Sequence, residues 1–290
     1  MINSPLSLGL LGYPLDHSLS PLLHTTALRS LNIPGEYRLF PAQDENILQD
    51  YFQQMRRGLI HGLNITIPWK ITAIQLLDQV SDTAMKIGAV NTVYIEKGQL
   101  IGENTDVQGF HEEIAEIFGS PDQISNNKAL ILGAGGAARA SAWSLGKMGW
   151  EVTIAARRLA QAQELTQNYS SLHGKFLAIE LAQNQLAEQS PNLIINATPV
   201  GMAPENEENP WPEELALPKD AVVFDLIYNP PETNLLATAR ANSHRAINGT
   251  GMLVSQAAAA FQLWTGIQPP RHIMAEELNN ALSKIQRSSA

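Results

Sequence analysis

The sequence predicts an α/β protein of two domains: an N-terminal domain with a mostly parallel sheet, then a Rossmann-like, doubly wound domain, with a cleft between them. Three observations carry this. Short apolar runs alternate with helical patterns along nearly all of the 290 residues, the rhythm of βαβ units. Leu130-Ile131-Leu132-Gly133-Ala134-Gly135-Gly136-Ala137-Ala138 reads as a buried strand, a glycine turn and the start of a helix, spaced G-x-G-x-x-A as in dinucleotide-binding turns. About 130 residues precede that turn, roughly a domain's worth, so the nucleotide module comes second.

In order along the first domain, the runs Leu6 to Leu11, Tyr37 to Phe40 and Leu59 to Ile65 predict strands. The periodic stretches Ser20 to Leu31, Asn46 to Arg57 and Ile71 to Leu77 predict the helices that follow them. Asn91 to Glu96 and Leu100 to Gly102 flank Lys97-Gly98 and predict a hairpin, an antiparallel addition to that sheet. A helix from about Asp106 to Phe118 and the polar stretch Ser120 to Asn127 lead into the glycine-turn strand. Strands then follow near Val152 to Ala155, Phe176 to Ile179, Leu193 to Asn196, Val222 to Asp225 and Arg245 to Ile247, enough for a doubly wound sheet. Met202 to Pro218, rich in Pro, Glu and Asn, predicts a surface loop. Two closing helices, about Gly251 to Trp264 and His272 to Arg287, have no strand after them and are expected to return to the first domain. The expected division is 1–105 with 249–290, and 106–248.

Composition narrows the function classes. A net charge of -9, from 19 Lys and Arg against 28 Asp and Glu, argues against a nucleic-acid surface, where phosphate contacts dominate affinity. No cysteine is present, which removes disulfides, thiolate metal sites and cysteine nucleophiles and suits a reducing compartment. The seven His form neither H-E-x-x-H nor H-x-H, so no metal site is expected. Met1-Ile2-Asn3-Ser4-Pro5 has no basic signal-peptide region and no apolar run reaches spanning length. A cytoplasmic protein without membrane or nucleic-acid partners, monomeric or homodimeric, is the expectation.

The strand after the glycine turn ends in Ala155-Ala156-Arg157-Arg158. An NAD site usually has an acidic residue there for the ribose 2′-hydroxyl; two guanidiniums suit a 2′-phosphate, which favours NADP. Arg158 alone is equally well a solvated surface charge. Asn196-Ala197-Thr198-Pro199 emerges at a strand's carboxyl end, where ligands bind in this architecture, and is also a composition typical of an ordinary turn. In the first domain, Pro21 starts a helix and makes Ser20 an expected N-cap. If Ser18 to Ser20 is extended, both hydroxyls share one face beside a helix N-terminus suited to a carboxylate. Lys70 follows the alternating stretch Leu63 to Pro68, and Asp106 caps or opens the helix after the hairpin.

These pieces resemble the shikimate dehydrogenase family over nearly the whole chain. The resemblance rests on Gly12-Tyr13-Pro14-Leu15-Asp16-His17-Ser18-Leu19-Ser20-Pro21, Asn64-Ile65-Thr66-Ile67-Pro68-Trp69-Lys70, Gly88-Ala89-Val90-Asn91-Thr92 and Asn104-Thr105-Asp106. It continues through the glycine turn, Asn196-Ala197-Thr198-Pro199-Val200-Gly201-Met202, Asp225-Leu226-Ile227-Tyr228-Asn229-Pro230 and Gly249-Thr250-Gly251-Met252-Leu253-Val254-Ser255-Gln256. It implies reversible NADPH-dependent reduction of 3-dehydroshikimate to shikimate, on the route to chorismate and the aromatic amino acids. By the same likeness Ser18 and Ser20 hold the substrate carboxylate, and Asn64, Thr66, Asn91, Asp106, Tyr228 and Gln256 surround the rest of the substrate, with Lys70 as acid/base residue. The implied cofactor residues are Asp82, Gly133, Ala134, Gly135, Gly136, Ala137, Ala156, Arg157, Arg158, Gln161, Thr198, Leu226, Gly249 and Met252. One departure stands out: the family's phosphate clamp commonly reads Asn-Arg-Thr, and here it is Ala156-Arg157-Arg158, which loses an amide and a hydroxyl and gains a cation.

The chemistry needs these residue types. When hydride reaches a carbonyl carbon, the oxygen gains negative charge and wants a proton or a fixed cation. Lysine supplies either. Desolvation and a neighbouring carboxylate act on a lysine in opposite directions, so the sequence leaves open which member of the Lys70 and Asp106 pair carries the proton. Two rival functions share the fold: a quinate/shikimate dehydrogenase with broader cofactor use, against whose NAD-preferring form Arg157 speaks, and a non-catalytic NADPH or metabolite sensor, which has no use for Lys70 and Asp106 together.

Overall fold

The structure, a computed structural model, describes residues 4–119, 127–204 and 207–289. Its chain forms two compact units, residues 1–109 with 254–290, and Phe110–Leu253.

The first unit holds a six-stranded sheet. Its strands are β1 (Leu6–Gly12), β2 (Gly35–Pro41), β3 (Gly62–Ile65), β4 (Gln79–Val80), β5 (Thr92–Glu96) and β6 (Gln99–Glu103), in the order β2-β1-β3-β5-β6-β4. β1 pairs in parallel with β2 and β3, while β5 runs antiparallel to both β3 and β6. The expected hairpin is thus present, and Lys97 (φ 50) and Gly98 (φ 79) both take the left-handed turn conformation that suits strand twist. Helix α1 (Ser20–Ser30) and helix α2 (Glu45–Arg56) follow β1 and β2. Asp44 caps α2 by accepting from the Ile47 N–H at 3.0 Å. Its Leu48, Phe52 and Met55 repeat on one face and pack into the core with Leu11, Leu63, Ile65 and Val93.

Three local expectations are corrected. The strand expected from Leu59 begins only at Gly62, because Gly58 turns the chain at φ 73 and leaves Leu59 exposed. The helical stretch after Ile71 is a short 3₁₀ turn, Thr72–Leu76. Beyond it lie β4 and a helix, α3 (Asp82–Ile87), that the apolar pattern did not announce. α3 is defined by its ends: Ser81 caps Ala84 N–H, and Gly88 closes it at φ 70.

The second unit has strands β7 (Lys128–Leu132), β8 (Glu151–Ala156), β9 (Lys175–Glu180), β10 (Leu193–Asn196), β11 (Val222–Asp225) and β12 (Ala246–Ile247). They lie in the order β12-β11-β10-β7-β8-β9, every neighbouring pair parallel. Counted from β7 this is 3-2-1-4-5-6, the doubly wound order. Helices α4 (Asp106–Phe118), α5 (Gly136–Lys147), α6 (Leu159–Asn168), α7 (Gln183–Ala187) and α8 (Asn234–Ala241) accompany it. Alternate β7 residues bury opposite faces: Ala129 and Ile131 meet Ala138 of α5, whereas Leu130 and Leu132 join Leu235 and Leu236 of α8. Ala138 is fully buried, as its place in the glycine motif requires. The expected surface loop at Met202–Pro218 forms no helix or strand among its described residues, with one departure from a surface position: Trp211 is 2% exposed, packs into the second core and donates its indole N–H to Leu215 O at 2.8 Å. The chain passes between units within α4 and within α9 (Thr250–Thr265); α10 (Arg271–Ser289) returns to pack on α1. The polar stretch read at Ser120 to Asn127 lies, but for its last residue, outside the described residues.

Candidate active site

In the first unit, backbone pairing brings the ends of three segments together. Asn91, one residue before β5, accepts from Ile65 N–H at 2.7 Å and donates its own N–H to Glu103 O at 3.0 Å. Val90 N–H donates to Lys70 O at 2.7 Å, which fixes the turn after β3 beside the hairpin. Asp106 opens α4, a position where the helix dipole favours an acid.

The side chains then meet. Lys70 Nζ donates to Asp106 Oδ2 at 2.6 Å, with the two side chains 17% and 8% exposed. Asn91 Nδ2 donates to Asp106 Oδ1 at 2.8 Å and reaches Gln256 Oε1, on α9, at 3.5 Å. Asn91 Oδ1 accepts from Thr105 N–H at 2.7 Å and from the Thr92 and Thr105 hydroxyls at 3.1 Å. Each Asp106 oxygen therefore has a donor, while the ammonium, with three N–H groups, has spent one on Asp106.

Asn64 lies deeper, 5% exposed, with its oxygen taking the Tyr37 hydroxyl at 2.8 Å and its amide donating to Thr92 Oγ1 and Asn91 O. Tyr37 is stacked on His24, ring centroids 4.3 Å apart. His24 is fully buried and, among the described residues, neither ring nitrogen makes a hydrogen bond. Burial pulls this imidazole down to about 3, the nearby Asn64 side chain acting the other way. Thr66, half-buried, has its hydroxyl uncommitted among the described residues, and its N–H donates to Leu11 O at 2.9 Å.

Ser20 does not cap α1. Leu19 occupies the cap at φ -94, ψ 2, and no side chain caps the helix; Ser20 is already its first residue. The stretch is not extended, so period-two alternation does not put the two hydroxyls on one face. Ser18 Oγ instead accepts the Ser20 N–H at 3.2 Å, and Pro21 has no N–H to satisfy. Asp82 is exposed in the first turn of α3.

In the second unit the sheet order reverses between β7 and β10, the crevice position where this architecture binds ligands. Gly133 turns there at φ 109, and its N–H donates to Ala155 O at 2.8 Å. A side-chain carbon on Gly133 would come within 3.1 Å of Ala197 O and Thr198 Cγ2, so the turn and the loop after β10 lie against each other. Gly135 is the N-cap of α5 and nothing lies within 4 Å of where its Cβ would be, leaving backbone open at a helix N-terminus suited to phosphate. Ala134, Gly136 and Ala137 flank it. Ala156 ends β8, and Arg157 and Arg158 follow it, both exposed and without an ion pair among the described residues. Gln161 sits one turn on, its N–H bonded to Arg158 O at 2.9 Å. These residues fit a dinucleotide carrying an extra phosphate.

Behind the turn lies a network centred on Asp225, a residue to which the sequence assigned no role. Asp225, fully buried at the end of β11, accepts from Asn196 Nδ2 at 3.0 Å, Ile227 N–H at 3.1 Å and Thr233 Oγ1 at 2.7 Å. Burial pushes its carboxyl up to about 6, against the pull of the Thr233, Ile227 and Asn196 donors. The signal was available: two strands of apolar residues each end in a buried polar one, Asn196 and Asp225. Leu226 and the half-buried Tyr228 follow Asp225. A Cβ on Gly249 would lie 2.2 Å from Leu226 O. Met252, expected at the cofactor, is 7% exposed and belongs to the core cluster of this unit.

Comparison with known proteins gives concordant results. The model for the shikimate dehydrogenase substrate binding domain matches residues 10–93, and that for the shikimate 5′-dehydrogenase C-terminal domain matches 249–278. A shikimate dehydrogenase (NADP(+)) of Methanococcus maripaludis is 40% identical over 98% of this chain and all of its own. A crystal structure of a shikimate dehydrogenase in complex with NADP+ superposes with a TM-score of 0.86 at 36% identity, covering 97% of this chain and 98% of the other. The shikimate 5-dehydrogenase of Thermus thermophilus, solved with NADP(H) and shikimate, gives 0.81 at 37% identity over 96% of this chain and all of that one.

Proposed function

The chain belongs to the shikimate dehydrogenase family, and from that premise we propose that it reduces 3-dehydroshikimate reversibly to shikimate with NADPH, using Lys70 and Asp106 at the reacting oxygen. The observation that carries the assignment is the Lys70 to Asp106 contact at 2.6 Å, braced by Asn91. A positioned ammonium with donors to spare can meet negative charge growing on an oxygen, and the carboxylate fixes where it points. Asn91 holds the second Asp106 oxygen and reaches toward Gln256, so those amides set the orientation of the pair. Ser18, Ser20, Thr66 and Gln256 are the proposed partners of the substrate's carboxylate and hydroxyls, with Asn64 supporting them from behind.

NADPH, when bound, supplies the hydride. The glycine turn from Gly133 to Ala137 would hold its pyrophosphate, and Arg157, with Arg158 and Gln161, its 2′-phosphate. Thr198, Leu226, Gly249 and Met252 would line its nicotinamide end. The setting proposed is the cytoplasm, as a monomer or homodimer. Formation of NADPH from shikimate and NADP by the purified chain tests the assignment; a chain that binds both without turnover would overturn it.

A further inference from the structure

We infer that Asp225 is a positioning residue for the nicotinamide end of the cofactor site, one buried carboxylate that ties together three backbone segments around it. The inference rests on the function proposed above. Its arms are distinct. Through Asn196, Asp225 holds the loop after β10: Asn196 Oδ1 accepts Thr198 N–H at 3.0 Å and the Thr198 hydroxyl at 2.7 Å, and Asn196 Nδ2 also reaches Val200 O at 3.2 Å. That loop is the one lying against Gly133 of the phosphate-binding turn. Through Ile227 N–H it fixes the loop after β11, whose Ile227 O accepts Gly249 N–H at 2.9 Å and whose Leu226 N–H donates to Asn196 O at 3.0 Å. Through Thr233 it holds the N-cap of α8, where the same hydroxyl accepts Leu236 N–H at 3.3 Å.

Asn196 has no capacity left. Both its amide hydrogens and both acceptor positions are occupied, so it cannot compensate if Asp225 changes. Among the described residues no lysine or arginine pairs with Asp225; three hydrogen-bond donors alone support the carboxylate. An asparagine in its place offers one oxygen instead of two, leaving at least one donor facing an N–H₂ group. The loops after β10 and β11 would then shift, whereas Arg157, just past the end of β8, makes no hydrogen bond to the network among the described residues.

The test compares the two ends of the cofactor in the full chain. In Asp225→Asn, turnover of shikimate with NADP should fall about tenfold to a hundredfold, the scale of a small misplacement of reacting groups. Binding of adenosine 2′,5′-bisphosphate, which carries only the adenine end, should stay at the wild-type value. Should Asp225→Asn not fold, Thr233→Val removes one donor of the three and should show a smaller loss of the same kind, restored by Thr233→Ser. Wild-type turnover in Asp225→Asn and Thr233→Val, or equal losses for turnover and adenosine 2′,5′-bisphosphate binding, would overturn the inference. Wild-type chain inactive with shikimate would instead overturn the proposed function, and the ratio of NADPH to adenosine 2′,5′-bisphosphate affinity in the variants would still decide the role of Asp225.

Discussion

Replacing Lys70 by alanine removes the ammonium that sits 2.6 Å from Asp106 and leaves the backbone link from Val90 N–H to Lys70 O intact. A positioned acid/base group contributes about 10²- to 10⁴-fold to rate, which at 1.36 kcal/mol per tenfold is roughly 2.7 to 5.4 kcal/mol of barrier. The structural cost is separate. Among the described residues Asp106, 8% exposed, keeps only the Asn91 amide at 2.8 Å, and orphaning a buried carboxylate costs up to about 3 to 5 kcal/mol of stability. Residual exposure and the Asn91 bond put this site at the low end. The assay follows NADPH absorbance at saturating shikimate and NADP, with thermal unfolding in parallel. Lys70→Ala should lower kcat by several orders of magnitude with KM for shikimate within a few-fold, since Ser18, Thr66, Asn91 and Gln256 are untouched. A kcat within tenfold of wild type in a folded variant would remove Lys70 from the chemistry; a large KM increase at unchanged kcat would make it a binding residue only.

Arg157→Ala should weaken NADPH by about 1.5 to 3 kcal/mol, the scale of hydrogen bonds to a charged group, and NADH far less; equal losses in titrations with both would deny Arg157 a 2′-phosphate role. His24 titrates normally when unfolded, near 6.5, and at about 3 when folded. The unfolded chain therefore binds more protons across that window, and the His24 contribution is full above pH 6.5 and lost as pH falls toward 3. His24→Phe, which keeps an aromatic ring on Tyr37, should flatten the acid decline in denaturant midpoints measured across pH; parallel curves would refute it. Gly249→Ala drives a methyl to 2.2 Å from Leu226 O, so thermal unfolding should show a loss of about 1 to 3 kcal/mol or more, and an unchanged melting temperature would refute the close approach.

Much of this was legible in the residues because local chemistry and tertiary structure agreed. Apolar runs mark β7, β10 and β11 since both sheet faces are buried, and Lys97-Gly98 marks the hairpin because both residues must adopt positive φ. Lys70, Asn91 and Asp106 were nameable one by one, while the 2.6 and 2.8 Å contacts that join them depend on pairing between β3, β5 and β6 and do not follow from any local pattern. Where two local solutions compete, the residues alone do not choose between them. Ser20 looks like an N-cap, but Ser18 Oγ satisfies the Ser20 N–H and the helix begins one residue early. Two-residue β4 is too short to carry a period, and α3 shows itself only through Ser81 and Gly88 at its ends. Trp211 is hidden within a segment whose neighbours are Pro, Glu and Asn. The Asp225 network escaped because its members are spread from Asn196 to Thr233 and look like ordinary turn residues until the parallel strands align them.

Initial rates of the purified chain with shikimate and quinate, each with NADP and with NAD, decide whether it is an NADP-dependent dehydrogenase acting on shikimate. Shikimate with NADP should give the highest kcat/KM of the four combinations. No turnover of shikimate with NADP, or a clear preference for quinate with NAD, would contradict it.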